Sequence, residues 1–162
     1  MKTIHENICD IASGVIIQQV NCRNAYGRGL SGQISNKWPA VLTDYRKSFT
    51  EKTPKDLFGT VRYIPVTDKL VVANSYTQFN YGNSAKTGIV YTDMPKLIHN
   101  IQKICEHHEN VHIPYRLGCG LAGGNWDELV EAIKNLPVTV VRCDRIPVID
   151  MGIPKKEVEP EY

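Results

Sequence analysis

Two kinds of apolar pattern alternate along the chain. Short β-branched runs read as buried strands: Val15-Ile16-Ile17-Gln18-Gln19-Val20, Gly59 to Pro65, Lys69 to Asn74, Asn110 to Pro114, and Val138 to Cys143. Between them, apolar residues recur at helical spacing. Val41, Tyr45 and Phe49 mark one face of a helix, and Pro39 suits its first turn, where a missing N–H costs nothing. Leu97, Ile101 and Ile104/Cys105 mark a second helix over 94–107, and Leu129 and Ile133 a third over 125–136. Residues 75–92 are rich in Gly, Asn, Ser, Thr and Tyr without a clear period and read as a loop. Alternating strands and helices predict an α/β domain, a sheet sandwiched by helices.

The 162 residues suit one domain over 1–146, followed by a tail over 147–162 in which prolines and charges replace the apolar pattern. Apolar residues make up 42% and charged residues 22%, an ordinary globular balance. A formal charge of +2, with scattered lysines and arginines, is not the basic stripe of a nucleic-acid-binding face, so direct nucleic-acid binding is not expected. No apolar run approaches the ~20 residues that span a bilayer, and Met1 to Glu6 lacks a signal-peptide core, so a cytoplasmic location without membrane contact is expected. The five cysteines are odd in number and include no C-x-x-C pair, which favours free, buried thiols over a disulfide framework. His107, His108 and His112 with Cys105 straddle a helix end and the next strand, a spacing that does not predict a shared metal.

The candidate chemistry sits in two glycine-rich stretches, each leaving a strand and entering a helix. The first is Asn21-Cys22-Arg23-Asn24-Ala25-Tyr26-Gly27-Arg28-Gly29-Leu30-Ser31-Gly32. Glycines let the backbone approach a ligand, and open N–H groups at a helix start favour an anion. Gly27, Gly29 and Gly32 satisfy G-x-G-x-x-G, but the acidic residue closing a second strand some 20 positions on is missing. That stretch is helical here, so a Rossmann unit does not fit. The second stretch is Leu117-Gly118-Cys119-Gly120-Leu121-Ala122-Gly123-Gly124, followed by Asn125 as N-cap and Glu128 three residues on. Such loops gather at the carboxyl ends of strands in an open sheet. Together they point to a ligand with more than one phosphate or sugar. Asp10, among Ile8, Cys9 and Ile11, could accept from an amino group or serve a turn. Asn21 and Asn24 could hold a ribose hydroxyl, position a water or cap local backbone.

In order and spacing these elements resemble the macrodomain family. The stretch QQVNCRNAYGRGLSGQI is similar to its strand-to-helix segment V-N-x-x-x…G-x-G, and HIPYRLGCGLAGGNWDEL to its phosphate-wrapping loop. Asp10-Ile11 matches the early G-D-I element, with Cys9 in place of glycine. The resemblance covers roughly residues 1–145 and is strongest to the branch containing the yeast ADP-ribose-1″-phosphate phosphatase and the terminal ADP-ribose glycohydrolases. It implies a three-layer α/β/α macrodomain with a central mixed sheet, binding ADP-ribose or a derivative without a cofactor, with ADP-ribosylated macromolecules as further partners. Asp10 would take the adenine amino group and Ile11 lie against the ring. Asn21 would face the distal ribose. Gly27, Arg28, Gly29 and Leu30, with Gly118, Cys119, Gly120, Leu121 and Ala122, would wrap the diphosphate. Tyr76 would stack near adenine or the distal ribose. The glycohydrolases carry a lysine nucleophile and a second-loop aspartate where this chain has about Tyr76 and Ala122, and the mono-ADP-ribosyl hydrolases carry a longer glycine run in the first loop. Asn21 and Asn24 are therefore the candidates to orient a water for catalysis, with removal of a phosphate from the distal ribose as the leading reaction. Binding without turnover, as a reader or sequestering module, and ADP-ribosyl hydrolysis are the alternatives.

Overall fold

A computed structural model describes residues 1–27 and 29–143; Arg28 and the tail expected over 147–162 lie outside the described residues. Six strands form one sheet in the order β1-β6-β5-β2-β4-β3. They are β1 (Lys2–His5), β2 (Gly14–Asn21), β3 (Val61–Pro65), β4 (Leu70–Gln78), β5 (Val111–Pro114) and β6 (Val138–Arg142). Neighbouring strands run parallel except β3, which pairs antiparallel with β4. The helices are α1 (Leu30–Lys37), α2 (Pro39–Glu51), the single turns α3 (Pro54–Leu57) and α4 (Ser84–Thr87), α5 (Met94–His107) and α6 (Trp126–Ile133).

The continuous apolar run of β2 is explained by burial on both faces. Val15 and Ile17 pack toward α5 and α6, among Leu97, Ile101, Ile104, Leu129 and Ile133. Ile16 between them packs toward α1 and α2, with Ile34, Trp38, Val41 and Val72. Each such fully buried aliphatic side chain contributes about 1.5–3 kcal/mol. This is the three-layer α/β/α arrangement with a mixed central sheet. The helix starts follow the chemistry written in the sequence. The Asn125 side chain accepts from the Glu128 N–H at 3.1 Å, Asp93 does the same for Lys96 at 3.1 Å, and Pro39 opens α2. Among the described residues no helix is long and apolar enough to cross a membrane.

Two departures from expectation bear on the site. β1 is an extra edge strand whose residues are exposed but for half-buried Ile4, so it carries almost no apolar pattern. β4 runs to Gln78 rather than ending at Asn74. Its last residues, Ser75-Tyr76-Thr77, look like loop by composition. They are buried because their hydroxyls find partners: Asn100 Nδ2 donates to Ser75 Oγ at 3.0 Å, and Thr77 Oγ1 donates to Gln19 Oε1 at 2.8 Å.

Candidate ligand-binding site

A cavity of about 430 Å³ opens at the carboxyl ends of β2 and β4. Asn21, Ala25, Tyr26, Gly27 and Ser31 form one wall, Leu121 and Ala122 another, and Gln78, Tyr81, Gly82 and Asn83 a third, with Gln19, Val20 and Tyr45 also in the lining. The structure thus brings the two glycine-rich stretches to one cavity and adds a third segment, 78–83, that the sequence pattern did not single out.

The first stretch is shaped by Asn21. Its Oδ1 accepts from Tyr45 OH at 2.8 Å, from Arg23 N at 3.0 Å and from Ala25 N at 3.4 Å, while Nδ2 donates to the Ala25 carbonyl. Tyr45 OH also reaches the Asn21 carbonyl at 2.9 Å. Asn21 therefore holds the turn, and its carbonyl oxygen is already occupied. Beyond the turn, α1 starts without a side-chain cap. Among the described residues no acceptor takes its first-turn N–H groups, and Ser31 stands in the cavity wall.

The second stretch is shaped by its own backbone. Cys119 N donates to Arg116 O at 2.8 Å, Gly123 N to Gly120 O at 3.0 Å, and Gly124 N to Gly118 O at 3.0 Å. The N–H groups of Gly120, Leu121 and Ala122 donate to no acceptor among the described residues. The carbonyls of Leu121 and Ala122 instead receive Ser84 N and Tyr91 N, both at 2.8 Å, which pins the third segment to the second. Two glycines sit at this seam. A Cβ on Gly82 would strike the Tyr91 ring, and one on Gly123 would strike the Ser84 side chain. Beneath the cavity, Gln19 Nε2 donates to Gln78 Oε1 at 3.1 Å and Thr92 Oγ1 at 2.9 Å, and Thr92 Oγ1 donates to Gly118 O at 2.6 Å. These bonds tie the second stretch and the third segment to the sheet.

Several sequence expectations are corrected. Tyr76 does not reach the cavity: it is 0% exposed, stacks on Tyr45 with ring centroids 6.0 Å apart, and its hydroxyl donates to Ser48 Oγ at 2.9 Å. Asn24 sits at the exposed tip of its turn with φ of 55°, outside the lining, so it is a turn residue and not a water-positioning one. Cys119 is buried, and its thiol lies 3.2 Å from the Leu117 carbonyl. Gly118 has a φ of 71°, and a Cβ added there would press on Leu97 and Gln19. Both support the second stretch from behind. Asp10 ends a short 3₁₀ turn over Ile8–Asp10 and Ile11 follows it, and neither lines the cavity. That turn borders a recess of about 30 Å³ lined by Asn7, Ile8, Leu30, Gln33, Pro114, Val141 and Cys143. Leu30 faces the recess and Ser31 the cavity, so the start of α1 separates the two.

The described lining is electrically neutral: amides, hydroxyls, backbone and apolar groups. Burial pushes the Cys22 thiol up to about 11 and the Cys119 thiol up to about 12, so neither is a thiolate nucleophile near neutral pH. Burial likewise raises the Tyr26 hydroxyl, which accepts from Gln18 Nε2 at 3.1 Å. His108 packs on the Tyr63 ring and His112 bonds the Val15 carbonyl at 3.1 Å. Among the described residues no group of three or more His, Cys, Asp or Glu could hold a metal ion.

No protein-family model matches the sequence, and no curated protein does. Solved structures do. The chain is similar to a protein of unknown function from Bacteroides thetaiotaomicron, with a TM-score of 0.74 and 28% identity over 87% of this chain and 96% of that one. It is similar to a macrodomain protein from Streptomyces coelicolor, with a TM-score of 0.64 and 21% identity over 90% of this chain and 99% of that one. It is also similar to Thermosipho africanus DarTG solved in complex with ADP-ribose, with a TM-score of 0.55 and 20% identity over 85% of this chain and 40% of that one. The fold is that of a macrodomain.

Proposed function

We propose that this chain binds ADP-ribose or a close derivative. The observation that carries the reading is the meeting of both glycine-rich stretches at one cavity, beside the uncapped start of α1. The diphosphate would lie across that helix start, facing the open N–H groups of Leu121 and Ala122. The distal ribose would enter the cavity, where Gln78 and Asn83 offer amide groups. The adenosine end would point past Leu30 toward the recess, with Asp10 and Ile11 on the adjoining turn. Thermosipho africanus DarTG, whose matched part has the same fold, is in complex with ADP-ribose, which supports this choice of ligand.

Binding without turnover, as a reader or sequestering module, suits the described lining best, because amides and hydroxyls orient a ligand but do not shuttle protons near neutral pH. Removal of a phosphate from the distal ribose is the second reading. It is favoured by the open N–H groups, which would stabilise charge developing on a phosphoryl oxygen. Calorimetric titration with ADP-ribose, followed by product analysis on its 1″-phosphorylated form and on ADP-ribosylated protein, separates the readings. Saturable binding with no product is expected. Release of phosphate would establish the phosphatase, release of ADP-ribose the ADP-ribosyl hydrolase, and no binding would end the proposal. Asp10→Ala should weaken ADP-ribose binding by ~1–3 kcal/mol, the scale of a lost hydrogen bond to a charged group. Unchanged affinity would remove Asp10 from the site.

A further inference from the structure

Beside the cavity mouth lies a separate groove of about 310 Å³, walled by Phe58, Phe79, Ile89 and Val90, with Tyr91 to Asp93 also in its lining. Large apolar side chains are exposed at six described positions, and four of them gather here: Tyr81 (58%), Ile89 (55%), Val90 (61%) and Leu121 (40%). Tyr81 and Leu121 line the cavity, while Ile89 and Val90 line the groove, so one apolar surface runs from the ligand site outward. Such a patch at one place on a surface marks an interaction site. Its backbone is held at both ends: Ser84 N donates to Leu121 O at 2.8 Å, and Asp93 N to Thr77 O at 2.8 Å.

The charges around the groove are mainly cationic. The Arg23 guanidinium lies 4.6 Å from the centre of the Phe79 ring, and its Nε donates to Asn80 Oδ1 at 2.6 Å. The Lys96 ammonium lies 5.0 Å from the Phe58 ring centre. The acid in the lining, Asp93, is engaged: its carboxylate caps α5 and lies 3.9 Å from Lys96. Arg23 is exposed, and no described residue accepts from its terminal N–H groups.

Resting on the reading above, we propose that this groove docks the polypeptide that carries an ADP-ribose group, through a segment with an apolar side chain next to acidic ones. The apolar residue would enter between Val90 and the phenylalanine edges, and a carboxylate would meet Arg23. A nucleic-acid strand fits this groove less well, because base stacking needs open aromatic faces, whereas Arg23 and Lys96 lie over its phenylalanine rings, Ile89 and Val90 are branched, and the exposed Tyr81 lines the cavity instead.

The test measures affinities of the full chain for free ADP-ribose, a mono-ADP-ribosylated peptide flanked by Glu and Leu, the same modification flanked by Lys and Gly, and an ADP-ribosylated oligonucleotide. The Glu/Leu peptide should bind about tenfold more tightly than free ADP-ribose, and the Lys/Gly peptide should show no such gain. Val90→Asp, and separately Ile89→Asp, should abolish the gain while changing free ADP-ribose affinity less than about twofold. Both positions are solvent-exposed, so the thermal midpoint should hold. Equal binding of the two peptides, a larger gain for the oligonucleotide, or equal losses for free and peptide-linked ligand in both variants would overturn the docking surface. Absence of any binding to free ADP-ribose would instead defeat the underlying ligand assignment, and the docking proposal with it.

Discussion

The two glycine-rich stretches look alike in composition, yet different devices hold them. The first is fixed by side chains: Asn21 gathers Tyr45, Arg23 and Ala25, and Arg23 reaches Asn80. The second is fixed chiefly by main-chain turns and by close backbone approach, with the Thr92 hydroxyl and the Arg116 guanidinium each donating to one of its carbonyls. Their glycines do different things as a result. A Cβ at Gly27 would make only ordinary contact with Ser31 at 3.4 Å, whereas one at Gly124 would lie 2.5 Å from the Gly118 carbonyl oxygen. Glycine richness alone therefore does not reveal whether a loop needs glycine for packing or leaves it open toward a ligand.

Substitutions can break this contrast. Gly124→Ala should have the largest effect, destabilising the chain by about 2–3 kcal/mol in denaturant unfolding, because backbone must move to clear the new methyl. A smaller loss would show that the second loop yields. Asn21→Ala should cost ~1–3 kcal/mol, since it leaves buried Tyr45 OH with one partner and frees two amides; Tyr45→Phe should cost about 1 kcal/mol. Both should also loosen the first stretch, seen as faster amide exchange at Arg23 and Ala25. If exchange there is unchanged, the side-chain account of that stretch fails. Gly27→Ala should be smallest, within about 0.5 kcal/mol of the parent in stability. Because Gly27 lines the cavity, its effect should appear in ADP-ribose affinity instead.

The buried strands, the long helices and both glycine-rich stretches were legible because period and turn chemistry are local signals. β2 announces itself by three consecutive β-branched residues, and α6 by Asn125 and Glu128. The third wall was not legible. Gln78, Tyr81, Gly82 and Asn83 have no period; β4 carries Gln78, and the other three are placed by the bond from Ser84 N to Leu121 O, about forty residues away in sequence. The signal that could have found them is the pair Gly82 and Gly123, where an added Cβ would strike the side chains of Tyr91 and Ser84. Tyr76 was misplaced for a related reason. Hydroxyls and amides that satisfy one another can fill a buried strand end, and composition cannot distinguish that from a solvated loop.

The pairing of β2 with β4 slips once: Val20 stands opposite Tyr76, but Asn21 stands opposite Gln78, leaving Thr77 as an extra residue. Side chains alternate between sheet faces, so that added residue sets which way the end of β4 presents its groups. Deleting Thr77 would turn Gln78 over, moving it from the cavity wall toward the opposite side. Length at this point is thus as informative as identity. Exchanging a side chain here leaves the register alone, whereas a one-residue gap would turn over that part of the pocket wall.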